Sequence, residues 1–554
     1  MTASDLSDDV TAVDIPGRVA STTSSQAELT RPNATDVSET RARWVLLGIL
    51  AIALIYYLWG VRQDLPFTPE VDEDVFVKSA VRIAASGIPN PLWFGHPGST
   101  VIYPLAAIYK TWDVVRYQGN WWSADPKLDA RFASAPGDFY FVGRFISIGY
   151  AVASLIFIYL IGRRVFGARV GLIGAWLAVL CPLAVGFAQV TRTDSAAVFF
   201  AMLALWLCLR LYDRPTAGNQ VLAGAAIGLA IATRYFMIAL VPVLLTIDGV
   251  MVWRQVVRHG SLRRPLLEPV VGLLAIAAAF ALSTPYFFLD LPVALQSVAA
   301  ENEASHLGMD GLTPIGNLVY YVTGAIPLDL TWPPAFLAAA GAGLALWRRR
   351  LEPLLLLGFV LALLGGASLS ALHADRWVIQ LLPVLALFAA DALETIWLWL
   401  SARLRWSQVA QAGVLLSAVA LISARPIYQL TLQDIRQASP STRVLARQWI
   451  LQNLPAGSRI AEEGYTAPLD NTGLAVKTQD SLATGETLGD YRQQGYRYLV
   501  ASNQMYGRYF AEPQRYAAET AFYNQLFKQK LLAKFGPSAT QGGPVIRIYD
   551  LGGS

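Results

Sequence analysis

Acidic and basic side chains meet at a few sharply defined places in this chain. Glu70, Asp72, Glu73 and Asp74 stand together ahead of a helical pattern running from Val75 to Ser86. Arg192 and Asp194 flank the start of one apolar run, Arg234 closes a second, and Asp375 and Arg376 precede a third. His96 lies in the segment Trp93-Phe94-Gly95-His96-Pro97-Gly98. Carboxylates beside arginines can do two things at once. They can take a proton from an attacking hydroxyl, and they can neutralise charge that gathers on a departing phosphate. Each acid also has a plainer explanation, because a carboxylate in the first turn of a helix is favoured by the macrodipole. Four acids within the five positions 70–74 exceed what capping one helix requires. A lone arginine near a span end is cheap, since it reaches the interface by snorkelling. Arg192, Arg234 and Arg376 gain weight by falling on one face.

The elements that must position these residues are membrane helices. Of the 554 residues, 55% are hydrophobic and 15% charged, whereas ordinary soluble domains carry roughly 25% charged residues. Apolar runs recur from Trp44 to Ile422. Each is near the roughly 20 residues that cross a bilayer as a helix. Backbone polar groups cannot stay unpaired in hydrocarbon, so the runs should be helical. Run length predicts about eleven spans, at 44–60, 141–162, 168–188, 193–212, 219–233, 236–253, 267–286, 330–347, 352–371, 377–399 and 407–425. The stretch Ser99–Asp113 is broken by Tyr103, Pro104, Tyr109 and Lys110 and reads as an interfacial helix.

Charge gives orientation. With the N-terminus in the cytoplasm, the inner loops hold Arg163, Arg164 and Arg169, then Arg210 and Arg214, then Arg254, Arg258, Arg263 and Arg264, then Arg348, Arg349 and Arg350, then Arg403 and Arg405. The expected fold class is mainly α: a polytopic helical membrane protein with a small C-terminal extracytoplasmic α/β domain. Residues 1–40, rich in Ser, Thr, Asp and Ala, read as a disordered cytoplasmic tail. Residues 41–426 form the membrane domain, with a first outer loop at 61–140 and a long outer loop at 290–328. In residues 427–554 a helical pattern from Ser441 to Leu454 precedes strand-like runs at 459–461, 496–500 and 545–549.

Several classes are disfavoured. Cys181 and Cys208 both fall in apolar runs and suit packing. His96, His259, His306 and His373 show no metal-ligand spacing. A net charge of +4 does not call for nucleic acid. A transporter usually carries an internal repeat and mid-membrane charges, and neither stands out. Tyr320 and Tyr321 read as interfacial anchors.

The first outer loop resembles that of the membrane glycosyltransferases with a C-type fold, among them protein O-mannosyltransferases and the transferases that add aminoarabinose to lipid A. The resemblance rests on Asp72-Glu73-Asp74-Val75-Phe76 followed by Ala84-Ala85-Ser86-Gly87. It extends to His96-Pro97 ahead of the interfacial helix, Arg192-Thr193-Asp194 at a span start, Ala232-Thr233-Arg234-Tyr235, and Arg376-Trp377 six residues before Pro383. It covers roughly residues 44–425. The chain departs in carrying the extra acid Asp74, in lacking a lysine after His96-Pro97, and in having Arg234 where a lysine is common. The C-terminal region is not the sugar-binding module of the eukaryotic mannosyltransferases.

The resemblance implies transfer of a sugar, with inversion, from a polyprenyl-phosphate donor to a lipid, glycan or protein acceptor at the outer face of a membrane, most simply a bacterial plasma membrane. It implies Asp72 as general base, with Glu73 and Asp194 as its catalytic companions. Arg234, His96, Arg376 and Arg192 would bind the donor phosphate. His306, in the long outer loop, and Asp74 would serve as lid or acceptor contacts. The scheme needs no metal, although carboxylates near a phosphate are compatible with Mg2+ or Mn2+. A polyprenyl-linked oligosaccharide ligase or polymerase, or a lipid or sugar transporter, are the alternatives.

Overall fold

The computed structural model describes residues 38–67, 72–118, 120–121, 123–259, 267–301, 312–370, 372–470 and 472–552. The tail reading falls outside these up to residue 37, as do the readings placed on Glu70 and His306. The first helix, Glu39–Trp59, starts inside the expected tail.

The chain is an integral membrane protein whose apolar runs are helical, but the count departs from eleven. Among the described residues, seven single helices are long and apolar enough to cross a membrane, and up to nine spans result if each of two bent pairs counts as one. The runs at Ala217–Thr233 and Leu267–Ser283 are shorter, 17 residues each. Prolines explain the breaks. The run from Ala168 bends by 69° between Val179 and Pro182, where the proline ring removes a helical donor. The helix Trp332–Arg348 turns by 119° from the segment Pro314–Leu330; Thr331 holds φ 66° at the corner, and Pro333 and Pro334 begin the new helix. The span expected from residue 377 opens as a 3-10 turn, Asp375–Val378, and becomes α-helical only at Leu382–Leu404. Pro383 there suits a first helical turn.

Small residues let the helices approach closely. A Cβ on Gly228 would lie 2.4 Å from the carbonyl oxygen of Ile276, and one on Gly341 would lie 2.1 Å from that of Phe388. Such backbone-to-backbone contact replaces the hydrophobic driving force that lipid does not supply between helices. Ionisable groups separate to the two ends of the bundle. Helix Pro136–Val165 begins near Tyr140 and Arg144 and ends at Arg164, which pairs with Asp213 at the end of helix Thr193–Asp213. Arg169 meets Glu394 at 2.9 Å, and Arg348 meets Asp391 at 2.8 Å. At roughly 1.5 Å per residue, these pairs lie a full span from Asp194.

The C-terminal part is a five-stranded sheet: β1 Arg459–Glu463, β2 Ala475–Gln479, β3 Tyr498–Ser502, β4 Lys530–Phe535 and β5 Ile546–Asp550. The order is β2-β1-β3-β5-β4, with β2, β1 and β3 parallel and β5 antiparallel to both neighbours. Alternate residues face two cores. Ile460, Val500 and Ile548 pack with Ala446 and Ile450 of helix Thr442–Asn453, while Ala461, Leu499 and Tyr549 pack with Tyr509 and Tyr523 on the other side. Glu463 ends β1 fully buried, accepting from the Tyr523 hydroxyl, Ser502 N–H (2.8 Å) and Leu482 N–H (3.1 Å). Burial pushes its carboxyl up to about 7 against those hydrogen bonds. The sheet domain is tied to the first loop: Ser441 N–H donates to Asp64 at 2.9 Å, and the Arg447 guanidinium lies over Phe67.

Candidate active site

Residues 72–74 open the helix Glu73–Ser86, and successive helical residues point about 100° apart. The three acids therefore go to three sets of partners. Glu73 is fully buried; its two oxygens accept from Nε and Nη2 of Arg144, both at 2.9 Å, and Oε1 also accepts from Thr191 N–H at 2.9 Å. Arg144, equally buried, donates Nη1 to the carbonyls of Val61 (2.8 Å) and Gln63 (3.1 Å). This bidentate pair joins the first loop, the helix Pro136–Val165 and the turn before Thr193. Asp74 accepts from the Tyr140 hydroxyl and from Lys78 Nζ at 2.6 Å. Of the three acids, Asp72 is the one that faces Arg192 and Arg376.

From Asp72 a line of alternating charge runs inward. Its Oδ2 lies 2.9 Å from Arg192 Nη2 and 3.7 Å from Arg376 Nη2. Arg192 Nε lies 3.3 Å from Asp194 Oδ2, and Asp194 Oδ1 lies 3.1 Å from Arg234 Nη2. Arg234 Nε donates to Thr193 Oγ1 at 2.9 Å. Arg192 and Asp194 are fully buried and Arg234 is 2% exposed. Three arginines against two carboxylates leave one net positive charge. Arg234 Nη1 and Arg376 Nε have no hydrogen-bond partner among the described residues. Buried charge without a partner is costly, so this arrangement suits an anion. Burial works to raise the Asp72 pKa, but Arg192 and then Arg376 overcome it and hold the carboxyl below its usual range.

His96 sits against this cluster, its ring edge-on to Trp93 at 5.3 Å. Burial first, then Arg234, Arg376 and Arg192, push it down to about 3. Beside these arginines the imidazole is held towards its neutral form, in which it can still hydrogen-bond an anion. Its loop docks on the Arg234 element: Tyr235 donates to the Phe94 carbonyl at 2.8 Å, and Thr100 and Thr233 share a hydroxyl bond at 2.7 Å. Gly98 takes φ 59°, and a Cβ there would lie 2.8 Å from the Phe76 ring. Both facts require glycine.

Asp72, His96 and Arg376 line a cavity of about 330 Å³, where Glu301 balances the charge of Arg508, together with Trp93, Tyr465 and Arg508. The last two come from the sheet domain. Tyr465 follows the end of β1 and holds φ 63°, with the Arg508 guanidinium 5.5 Å from its ring. The sheet domain thus contributes to the same cavity as the charged cluster. Nothing in the sequence of 427–554 marks these two residues. Arg144 did leave a signal: an arginine inside an apolar run needs a buried carboxylate.

One further residue departs from expectation: Tyr321 is fully buried and so is not an interfacial anchor. Tyr320, part-exposed, donates its hydroxyl to Asp375 at 2.5 Å, beside Arg376. Among the described residues, no three His, Cys, Asp or Glu side chains converge as a metal site.

Comparison with known proteins fits this geometry. Residues 132–285 match the family described as dolichyl-phosphate-mannose-protein mannosyltransferase. ArnT from Cupriavidus metallidurans, solved bound to undecaprenyl phosphate, is 16% identical with a TM-score of 0.52, over 92% of this chain and 98% of that one. The oligosaccharyltransferase AglB from Archaeoglobus fulgidus, solved with an inhibitory peptide and a dolichol-phosphate, is 15% identical with a TM-score of 0.52, over 91% of this chain and 74% of that one. No curated protein matches. The chain has the GT-C fold. The matched segment 132–285 contains Arg144, Arg192, Asp194 and Arg234.

Two outcomes follow. Glu73→Gln leaves Arg144 buried without its counter-charge and should lower stability by about 3–5 kcal/mol. Asp72→Asn, at a position 32% exposed and with Arg192 still beside Asp194, should cost clearly less in thermal unfolding in detergent than Glu73→Gln; equal losses in the two variants would contradict the division of roles. Binding of a polyprenyl-phosphate sugar, a diester with no proton to lose near neutrality, should be flat from about pH 5 to 8, because His96 stays neutral there. Affinity that falls as pH rises through about 6.5, and stops doing so in His96→Asn, would mean that His96 binds as a cation.

Proposed function

We propose that the protein is a membrane glycosyltransferase that moves a sugar, with inversion, from a polyprenyl-phosphate donor to an acceptor hydroxyl or amine. The acceptor would be a lipid, glycan or protein at the outer face of a bacterial plasma membrane, with the N-terminus cytoplasmic. One observation carries this reading: a cluster with one net positive charge, buried at Arg192, Asp194 and Arg234 and partly exposed at Asp72 and Arg376, opens into a cavity at the end of the bundle. A phosphodiester brings one negative charge to meet it. The GT-C fold, and the lipid phosphates held by its solved relatives, support the choice of donor.

In this mechanism the acceptor oxygen attacks the anomeric carbon from the face opposite the phosphate. The new bond to that carbon forms as its bond to the phosphate oxygen breaks, and the acceptor proton passes to Asp72. The leaving polyprenyl phosphate gains a second charge, which Arg376 and Arg234 stabilise more strongly than the first. Asp72 at rest is a weak base because Arg192 and Arg376 hold it ionised. A bound phosphate competes for the same guanidinium groups, loosens their hold on Asp72 and raises its basicity when the donor is present. Asp194 keeps Arg192 and Arg234 charged and aimed. Glu73 acts through Arg144 as a positioning residue, and Asp74, held by Tyr140 and Lys78, shapes the loop. No step needs Mg2+ or Mn2+, since both cluster carboxylates are already engaged by arginines.

The test is transfer in proteoliposomes from radiolabelled polyprenyl-phosphate sugars to supplied acceptors. Asp72→Asn should reduce label transfer at least about hundredfold, the ordinary contribution of a general base. Equal consumption of donor by both proteins would remove Asp72 from the chemistry. Flux of intact donor across the bilayer, with no transfer, would favour a transporter.

A further inference from the structure

A second chamber, of about 540 Å³, lies behind the charged cluster. That volume is in the range of small-molecule sites, about 300–1,000 Å³. One wall is an amide stripe, Gln429, Gln433 and Gln437, spaced four apart on helix Gln408–Gln437 so that all three share a face. Gln189 stands opposite, accepting from Gln437 Nε2 at 2.5 Å and donating to the Tyr56 carbonyl at 2.8 Å. Asp329 completes the polar lining. It is 1% exposed; Oδ1 accepts from Leu183 N–H at 2.7 Å, while Oδ2 has no hydrogen-bond partner among the described residues. Gln429 Oε1 and Gln437 Oε1 are likewise without one. Phe187 forms part of the wall, and the Arg192 guanidinium lies over its ring at 5.1 Å.

These groups define a ligand by exclusion. A lipid tail would leave the amides and the carboxylate unpaired. An anion would find the unpartnered oxygen of Asp329 in this wall and, as the one basic side chain among its described lining residues, the exposed Arg436. A molecule with many hydroxyls can donate to Asp329 Oδ2 and to the amide oxygens, and can accept from the amide nitrogens. The Phe187 ring offers an apolar surface beside them. We propose that this chamber binds a neutral, hydroxyl-rich saccharide, separately from the donor phosphate. The proposal does not rest on the transferase reading. If both hold, the chamber adjoins the reacting groups through Phe187 and is placed to hold sugar units of an acceptor.

The test is calorimetric titration of the full chain in nanodiscs, in three arms: neutral oligosaccharides of hexose or pentose units, nanodiscs carrying a neutral diglycosyl lipid, and nanodiscs carrying an anionic phospholipid. Saturable binding in the first or second arm is expected, and the arm that responds tells whether the saccharide is free or lipid-borne. Gln433→Leu and Gln429→Leu should each weaken it about tenfold, the loss of one or two buried hydrogen bonds, with thermal unfolding unchanged. Asp72→Asn should bind as the unaltered protein does even though its transfer is lost, so the two proposals fail separately. No saturable binding in either neutral arm, binding that both leucine variants leave unaltered, or glutamine-dependent binding of the anionic lipid would each overturn the proposal.

Discussion

The site depends on one constraint: charge buried in a low dielectric must be paired. Arg192 and Asp194 have no exposed surface and Arg234 almost none, so each must be satisfied by protein or ligand. The alternating line from Asp72 to Arg234 meets this requirement with two acids against two arginines, and Arg376, 30% exposed beside Asp72, adds one excess positive charge at its outer end. In the proposed function, that excess is what a donor phosphate would complete. The same constraint fixes the scaffold, because the buried Glu73–Arg144 pair locks the first loop to the helix Pro136–Val165 and to Thr191. Breaking either pair would leave a bare ion in the interior, so the geometry around Asp72 is held by penalties larger than most packing terms.

Burial of the cluster also sets its chemistry. In water, three arginines and two carboxylates would interact weakly through solvent and salt. Here they sit where each interaction is strengthened, and their orientation is fixed before a substrate arrives. Donors aimed in advance at developing charge need no reorganisation during reaction. The cavity in front of them is closed partly by the sheet domain, through Tyr465 and Arg508. The domain after residue 441 therefore helps to line the candidate site.

Much of this was legible from residue types. The apolar runs, their order and the outlying arginines point to a helical bundle with a charged cluster at one end, and Asp72, Arg192, Asp194, Arg234 and Arg376 do meet there. The runs did not disclose where helices break, because Pro182 and Thr331 act on backbone geometry within continuous apolar stretches. Nor do adjacent acids reveal which one faces the cavity; that follows from the helical phase at residue 73, which sends Glu73 to Arg144. β2 and β4 escaped notice because they are edge strands, half-exposed and without clean alternation. Tyr465 and Arg508 could not be found, since their part in the cavity arises from how the sheet domain docks.

The central claim is that Asp72 and the donor phosphate share the same arginines. Donor affinity in the absence of acceptor tests it most directly, with a labelled polyprenyl-phosphate sugar titrated against the protein, Asp72→Asn and Arg376→Gln. Removing the Asp72 charge frees the guanidinium groups, so Asp72→Asn should bind donor at least as tightly as the unaltered protein, and Arg376→Gln should bind it more weakly. Loss of donor binding in Asp72→Asn, with its fold intact, would mean that the carboxylate holds the donor and does not compete with it, and the account would be wrong.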